Sequence, residues 1–224
     1  MPPSSSAMLE RAITALHTAD PGAEEPGATR ARLKESFPAG ASRRMTQLGM
    51  LVGTLLEALG PRPDDTVVYA SRFGESRALE AYLESFPAAS PTLFQTSIHP
   101  SGVQQGLIVR QRATAEVFPV AGSPAQVAQA LLAAMLAPAP RALVCGGEER
   151  ATWLTEHRAA SARTFAFALA LGSASSDDRL GRVALAPCGD TGALTLEDWF
   201  DLLHTRRGFA GAIAPGWRLT LEWS

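Results

Sequence analysis

Cysteine and charge are both scarce in this sequence. Only two cysteines, Cys145 and Cys188, stand among 224 residues, which is too few for a disulfide scaffold and indicates a reducing compartment. Charged residues make up 19% of the chain and the formal net charge is -2. A chain with no basic excess gives no electrostatic reason to bind nucleic acid or an anionic membrane surface.

Long apolar runs are also missing. The first residues, MPPSSSAMLER, lack the charged segment and apolar core of a signal peptide. No uncharged apolar stretch approaches the length that crosses a bilayer. We therefore expect a cytoplasmic protein without a membrane span, and its 46% hydrophobic content suits one sizeable core.

The usual signatures of metal and cofactor sites are absent from the sequence. The four histidines are widely scattered and no cysteine pair has C-x-x-C spacing, so we expect no metal. There is no phosphate-binding P-loop and no G-x-G-x-x-G, so we expect no nucleotide cofactor. The histidines are His17, His99, His157 and His204. His99 is the most notable, and we expect it to be a hydrogen-bonded structural histidine and not a general base.

Apolar spacing predicts alternating helices and strands. The predicted helices are 8–17, 45–59, 76–85, 90–108 with a kink at Pro100, 125–136 and 195–204. The predicted strands are 66–70, 116–121, 142–145, 164–171, 182–186 and 217–223. Ser42 is the expected N-cap of the second helix, and residues 20–29 are expected to form a loop. This alternation favours a layered α/β fold with one domain at 42–224 and a poorly defined segment at 1–41.

The corner after the strand 116–121 is where many α/β enzymes place a nucleophile. Here it reads Ala121, Gly122, Ser123 and Pro124, with no cysteine and no G-x-S-x-G pattern. Serine before proline favours a helix N-cap, so we expect Ser123 to cap the next helix.

Cys145 is the other candidate nucleophile. It precedes Gly146 and Gly147, where we expect the strand to end in a turn, and no basic residue or helix start adjoins it to lower its pKa. We expect a buried structural thiol. The alternative, a small acyl-transferring or hydrolysing enzyme that uses Ser123 or Cys145, stays open.

Six segments carry a resemblance to a known family. They are 42–44 (SRR), 67–75 (VVYASRFGE), 90–102 (SPTLFQTSIHPSG), 117–123 (VFPVAGS), 144–149 (VCGGEE) and 217–223 (WRLTLEW). In this order they resemble the N-terminal half of a β-ketoacyl synthase, a thiolase-fold protein. More closely, the chain resembles the short β-ketoacyl synthase-like N-terminal proteins of aryl polyene and related pigment clusters. The resemblance implies a layered α-β-α fold with a mixed sheet.

The resemblance also implies that this relative is not catalytic. In active ketosynthases the elbow strand delivers a cysteine that carries the acyl chain, and Ala121 stands at that place here. The two catalytic histidines of those enzymes come from a second half, for which this sequence has no counterpart. A methyl group cannot form a thioester.

Non-catalytic relatives include chain-length factors, which pair with an active ketosynthase. By that resemblance the strand 116–120 pairs across the subunit interface, and the helix before it lines the acyl tunnel. The implied tunnel and interface residues are Phe94, Ile98, His99, Val103, Gln104, Leu107, Phe118 and Val120. Two departures stand out: chain-length factors of aromatic polyketide systems have glutamine where Ala121 stands, and related short proteins often have asparagine where Pro100 follows His99.

An acidic acyl carrier protein is a further candidate partner. Four arginines could meet it, either as a docking surface of a chain-length factor or as a separate carrier-binding module. They are Arg43, Arg44, Arg110 and Arg112.

Overall fold

The computed structural model describes residues 8–22, 24–38, 40–173, 175 and 179–224. Within them one mixed sheet has the strand order β3-β2-β4-β5-β1-β6-β8-β7. The strands are β1 (Leu9–Ala19), β2 (Thr66–Ser71), β3 (Glu116–Ala121), β4 (Ala142–Glu148), β5 (Phe165–Gly172), β6 (Gly181–Pro187), β7 (Phe209–Ala214) and β8 (Trp217–Trp223). The helices are α1 (Pro26–Leu33), α2 (Gln47–Ala58), α3 (Ser76–Glu84), α4 (Pro91–Ser97), α5 (Ser101–Val109), α6 (Gln126–Leu136), α7 (Trp153–Glu156) and α8 (Leu196–His204).

The parallel part of the sheet consists of β3, β2 and β4. Val68 of β2 lies opposite Phe118 on one side and Val144 on the other. Every residue of β2 and β4 is buried, which agrees with their continuous apolar sequences. All remaining strand pairs are antiparallel, beginning with β4 and β5.

Helices cover both faces of the sheet, which confirms the predicted α-β-α layering. On one face α2 and α5 pack over a core that includes Leu48, Tyr69 and Val103. On the other face α6 and α8 enclose a larger core that includes Leu131 and Phe200. Sequence periodicity predicts most of these elements correctly, because each helix presents one apolar stripe to the sheet.

The predicted N-terminal helix is wrong. Residues Leu9–Ala19 form β1, which pairs with β5 and β6 in the interior of the sheet. The pairing with β5 shifts register between Ile13 and Ala15, and this irregularity breaks the alternation that would have indicated a strand. The sheet therefore includes a strand from the segment that we expected to be poorly defined, and residue 42 is not a structural boundary. Residues 1–7 lie outside the described part of the chain.

Three further predictions of local structure need correction. Thr46, not Ser42, caps α2, since its Oγ1 accepts the backbone N–H of Gly49 at 2.9 Å. The expected loop at 20–29 contains the start of α1. The predicted kinked helix is two helices, α4 and α5, and β7 was not predicted at all. None of the helices in the described ranges has the length and apolarity needed to cross a membrane.

Candidate functional site

The corner at Ala121 lies where the parallel strands end. Open α/β sheets bind ligands at this carboxyl edge. Ala121 is exposed, and Gly122 turns the chain with a φ of 74°. The backbone N–H of Gly122 donates to the carbonyl oxygen of Arg72 at 3.2 Å. The corner is thereby tied to the loop that follows β2.

Ser123 does not have the environment of a nucleophile. Its Oγ accepts the backbone N–H of Ala125 at 3.1 Å, and α6 begins at Gln126 without a side-chain cap. The N-cap position of α6 is Ala125, so the prediction that Ser123 is the N-cap is wrong by two residues. The Ser123 hydroxyl instead closes the turn that precedes the helix. Among the described residues no histidine or carboxylate hydrogen-bonds to this hydroxyl, so no base is in place to activate it.

Cys145 is a buried thiol, as predicted. It lies inside β4 between Tyr69 of β2 and Ala168 of β5, and it is fully buried. Burial raises the pKa of this thiol to about 12. The thiolate, which is the nucleophilic form, is therefore scarce at neutral pH.

Glu148 fixes the loop after β2. Its carboxylate accepts the backbone N–H groups of Arg72 and Phe73, the latter at 3.3 Å, and the hydroxyl of Ser71 at 3.2 Å. The turn predicted at Gly146 and Gly147 is wrong, because β4 continues through Glu148. Gly146 allows this continuation, since a Cβ there would clash with the carbonyl oxygen of Ala70.

Glu149 holds the starts of two helices. Its carboxylate accepts the backbone N–H of Leu48 in α2 at 3.1 Å and that of Arg77 in α3 at 3.2 Å. A carboxylate at a helix N-terminus is also stabilised by the positive end of the helix dipole. Burial nevertheless dominates and raises the pKa of both Glu148 and Glu149 to about 7.

A third buried carboxylate, Glu75, anchors the start of α5. Its Oε1 accepts the backbone N–H of Gly102 at 2.9 Å and the hydroxyl of Tyr69 at 3.3 Å. His99 stacks on Tyr69 with ring centroids 4.6 Å apart, and its Nδ1 lies 3.4 Å from Glu75 Oε2. Neither ring nitrogen of His99 has a hydrogen-bond partner among the described residues. His99 is therefore a packed residue, and the expected hydrogen-bonded histidine is not observed.

The predicted interface residues divide into exposed and buried groups. Phe94, Ile98 and Phe118 are 49%, 47% and 41% exposed, and Gln104 is exposed as well. Val103 and Leu107 lie on the inner face of α5 and are buried against the core beneath α2. Val120 and His99 are half-buried. The buried pair, Val103 and Leu107, offers a second protein almost no surface to contact.

The predicted docking arginines also separate into two pairs. Arg110 and Arg112 form ion pairs with Glu57 at 3.8 and 2.7 Å, and Arg110 also stacks over the ring of Phe37. Arg43 and Arg44 lie in a 3₁₀ turn, Ala41–Arg44, and line a cavity of about 240 Å³. Arg30 and Arg77 line the same cavity. Sequence reasoning missed these last two because they come from α1 and α3, which only the fold brings together.

The part of the chain that the structure describes contains no group of three histidine, cysteine or acidic side chains placed to hold a metal ion. Its buried carboxylates instead bind backbone N–H groups. Their observed role is to position the loops and helix starts at the carboxyl edge of the sheet.

Comparison with known proteins identifies the family. Residues 19–188 match the family model described as the N-terminal domain of β-ketoacyl synthase. The chain belongs to this β-ketoacyl synthase N-terminal domain family, as its sequence resemblance indicated. No curated protein sequence matches the chain.

Solved structures confirm the thiolase-like fold. A chain from the complex of the ketosynthase ApeO with its chain length factor ApeC, from Xenorhabdus doucetiae, aligns with a TM-score of 0.67 at 20% identity. That alignment covers 96% of this chain and 99% of the other. The ishigamide ketosynthase/chain length factor aligns with a TM-score of 0.56 at 14% identity, covering 79% of this chain and 67% of that one. A β-ketoacyl synthase from Burkholderia phymatum STM815 aligns with a TM-score of 0.56 at 14% identity. That alignment covers 80% of this chain and 65% of the other.

Proposed function

We propose that this protein is a non-catalytic, chain-length-factor-like partner of an active β-ketoacyl synthase. It would act in a polyene or fatty-acid-like polyketide pathway and shape the acyl tunnel at a heterodimer interface. One observation carries the proposal: the elbow strand β3 is an open sheet edge that ends at a corner with a methyl group where a ketosynthase needs a thiol. Two similar structures, each described as a ketosynthase with a chain length factor, support it.

The open edge of β3 is suited to pairing with another chain. Within the described residues β3 pairs only with β2, so its outer backbone groups have no strand beside them. Unpaired edges attract further strands unless a protein blocks them. Pro119 removes one backbone donor from β3, and Phe118 adds an exposed aromatic ring. A partner strand would satisfy the edge and bury this ring.

The exposed apolar residues Phe94 and Ile98 lie just before α5. His99, which follows Ile98, packs against the loop 72–75, since a Cβ on Gly74 would lie 3.4 Å from the Cβ of His99. The same loop accepts the hydrogen bond from Gly122 at the elbow. The strand edge and the α4–α5 joint are thereby linked through one fixed loop. We propose that Phe94, Ile98 and Gln104 line the tunnel wall on this side.

The rival hypothesis is a small acyl-transferring or hydrolysing enzyme. It would need an activated Ser123 or Cys145. Ser123 has no neighbouring base among the described residues, and Cys145 is a buried thiol with a pKa of about 12. The geometry therefore favours the non-catalytic partner.

The proposal also includes a docking site for an acyl carrier protein. We propose that an acidic acyl carrier protein meets this chain at Arg43 and Arg44, whose guanidinium groups form no ion pair with the described residues. Arg110 and Arg112 are less suited, since Glu57 already binds them. The two free cysteines agree with a reducing cytoplasm, which is the compartment we propose.

The test is co-expression with the candidate β-ketoacyl synthase subunits of the same genome. We expect a stoichiometric heterodimer that elongates an acyl chain, whereas the ketosynthase alone should be inactive or unspecific. Bulk added at the tunnel wall, as in Ile98→Trp, should shorten the products, while Leu136→Trp on α6 should not. A chain that purifies alone, with no affinity for the ketosynthase, would refute the proposal.

A further inference from the structure

Two adjoining cavities open beside the starts of α1, α2 and α3. The larger has a volume of about 500 Å³ and the smaller about 240 Å³. Both are lined by Pro26, Gln47 and Arg77, so the two cavities lie side by side and are treated as two parts of one cleft. We call it the arginine cleft. Its size suits a small organic molecule better than a single ion.

The smaller part of the arginine cleft is basic. Five arginines line the whole cleft: Arg77 and Arg150 in the larger part, and Arg30, Arg43, Arg44 and again Arg77 in the smaller. The ion pairs found across the described residues include none of the five. In the smaller part four guanidinium groups face one lining carboxylate, and a bound anion would relieve their mutual repulsion.

The carboxylates near the cleft are largely committed elsewhere. Glu24 binds Arg32 and Thr29, and Glu149 binds the backbone of Leu48 and Arg77. Glu149 is the only acidic residue lining the smaller part among the described residues, and it is fully buried. The Leu48 N–H at the start of α2 is already occupied by Glu149. The attraction for an anionic ligand therefore comes from the arginines and not from this helix N-terminus. Glu25 and Glu156 line the larger part.

We propose that the arginine cleft binds a phosphate monoester, with the phosphate in the smaller part and the uncharged remainder of the ligand in the larger. Arginine suits this group because its planar fork donates two parallel hydrogen bonds to phosphate oxygens. Ala78, Ala81 and Leu93 line the smaller part beside the arginines, so its wall also accepts carbon.

Two sources could supply such a phosphate. One is a free small organic phosphate. The other is the phosphopantetheine arm of an acyl carrier protein, and this second source rests on the proposed function. The cleft itself does not depend on a ketosynthase partner.

The first experiment titrates the purified chain with inorganic phosphate and with pantetheine 4′-phosphate in a calorimeter. We expect the organic phosphate to bind with a Kd of about 1 mM or tighter and to bind more tightly than inorganic phosphate. The triple variant Arg43→Gln/Arg44→Gln/Arg77→Gln should weaken binding at least about tenfold, the equivalent of one lost charge-assisted contact. Arg112→Gln, outside the cleft, is the matched control and should bind as the unmodified chain does. Absence of binding, or equal binding by the triple variant, would overturn the proposal.

The second experiment compares apo and phosphopantetheinylated carrier protein. Tighter binding of the phosphopantetheinylated form, lost in the triple variant, supports the proposal and identifies the arm as the source. Equal binding of the two forms, with pantetheine 4′-phosphate still bound, supports it with a free phosphate as the source. Co-purification of the triple variant with the ketosynthase is measured in parallel, so that failure of the cleft and failure of the heterodimer are told apart.

Discussion

The side-chain carboxylate of Glu149 accepts the backbone N–H of Leu48, a residue 101 positions earlier in the chain, at 3.1 Å. The same buried carboxylate binds the backbone of Arg77, so a single residue fixes the starts of α2 and α3. These two helices flank the arginine cleft. Glu149 therefore connects the stability of the fold to the shape of the proposed phosphate site.

Removing this carboxylate should strongly destabilise the protein. Glu149→Ala leaves two helix-start N–H groups without their acceptor in a buried site, and we expect a loss of about 3 kcal/mol in the free energy of unfolding. Urea denaturation measures it. Glu197→Ala removes an exposed surface ion pair with Arg163 and should cost less than about 1 kcal/mol. Equal effects of the two substitutions would contradict the role of Glu149.

Stability should fall as the pH rises toward neutrality. Burial raises the pKa of Glu148 and Glu149 from 4.5 to about 7. The folded protein therefore holds these two protons more tightly than the unfolded chain does. Their contribution to the free energy of unfolding is complete below pH 4.5 and is lost as the pH rises through 7.

Between about pH 5 and pH 8 we expect this loss to reach roughly 3 kcal/mol or more, because one pKa unit corresponds to about 1.4 kcal/mol. Urea denaturation at a series of pH values measures it. Glu148→Gln/Glu149→Gln cannot titrate, so the slope should flatten even if the double variant is less stable throughout. An unchanged slope would show that other groups are responsible.

The crossing of α2 and α5 depends on glycine. A Cβ on Gly106 would lie 3.1 Å from the Cα of Gly53, and one on Gly102 would lie 3.1 Å from the Cα of Gly49. We expect Gly106→Ala to cost about 1–3 kcal/mol, because the two helices must move apart. Gly27→Ala in α1 is the matched control, since nothing lies within 4 Å of the added methyl. There the helix propensity of alanine should instead stabilise the protein by up to about 1 kcal/mol.

The two cysteines should differ sharply in reactivity. Cys188 is half-buried in the loop after β6, whereas Cys145 is buried in β4 with a pKa of about 12. We expect iodoacetamide to alkylate Cys188 alone in the folded protein and both residues after unfolding. Mass spectrometry of the labelled peptides measures this. Alkylation of Cys145 in the folded protein, or acylation of Ser123 by an activated ester, would revive the enzymatic alternative.

The parallel core was predictable because each of its strands carries a continuous apolar sequence. Glu116–Ala121 was predicted to the residue, and the sequence resemblance correctly indicated the family and the layered fold. β1 was missed because its irregular pairing with β5 disturbs the alternation of apolar residues. β7 was missed because its sequence, FAGAIA, consists mostly of alanine and glycine and shows no clear alternation of apolar and polar residues.

The buried carboxylates could not be recognised from sequence. Glu148 and Glu149 follow two glycines, a pattern typical of a turn, yet both are buried. Their hydrogen-bond partners lie more than seventy residues away and are mostly backbone N–H groups, which no local pattern identifies. The arginine cleft was missed in part for the same reason, since Arg30 and Arg77 reach it from separate helices.

The measurement that tests the central claim most directly is the affinity of this chain for its ketosynthase, determined by sedimentation or calorimetry with one substitution on β3. Phe118→Asp places a charge on the exposed strand edge and should weaken the heterodimer by about thirtyfold or more, the effect of losing one anchor residue. Leu136→Asp is the control, since Leu136 is 67% exposed at the far end of α6, and we expect its affinity to match that of the unmodified chain. Equal affinity of both variants, or no complex with the unmodified chain, would contradict a ketosynthase partner that pairs along β3.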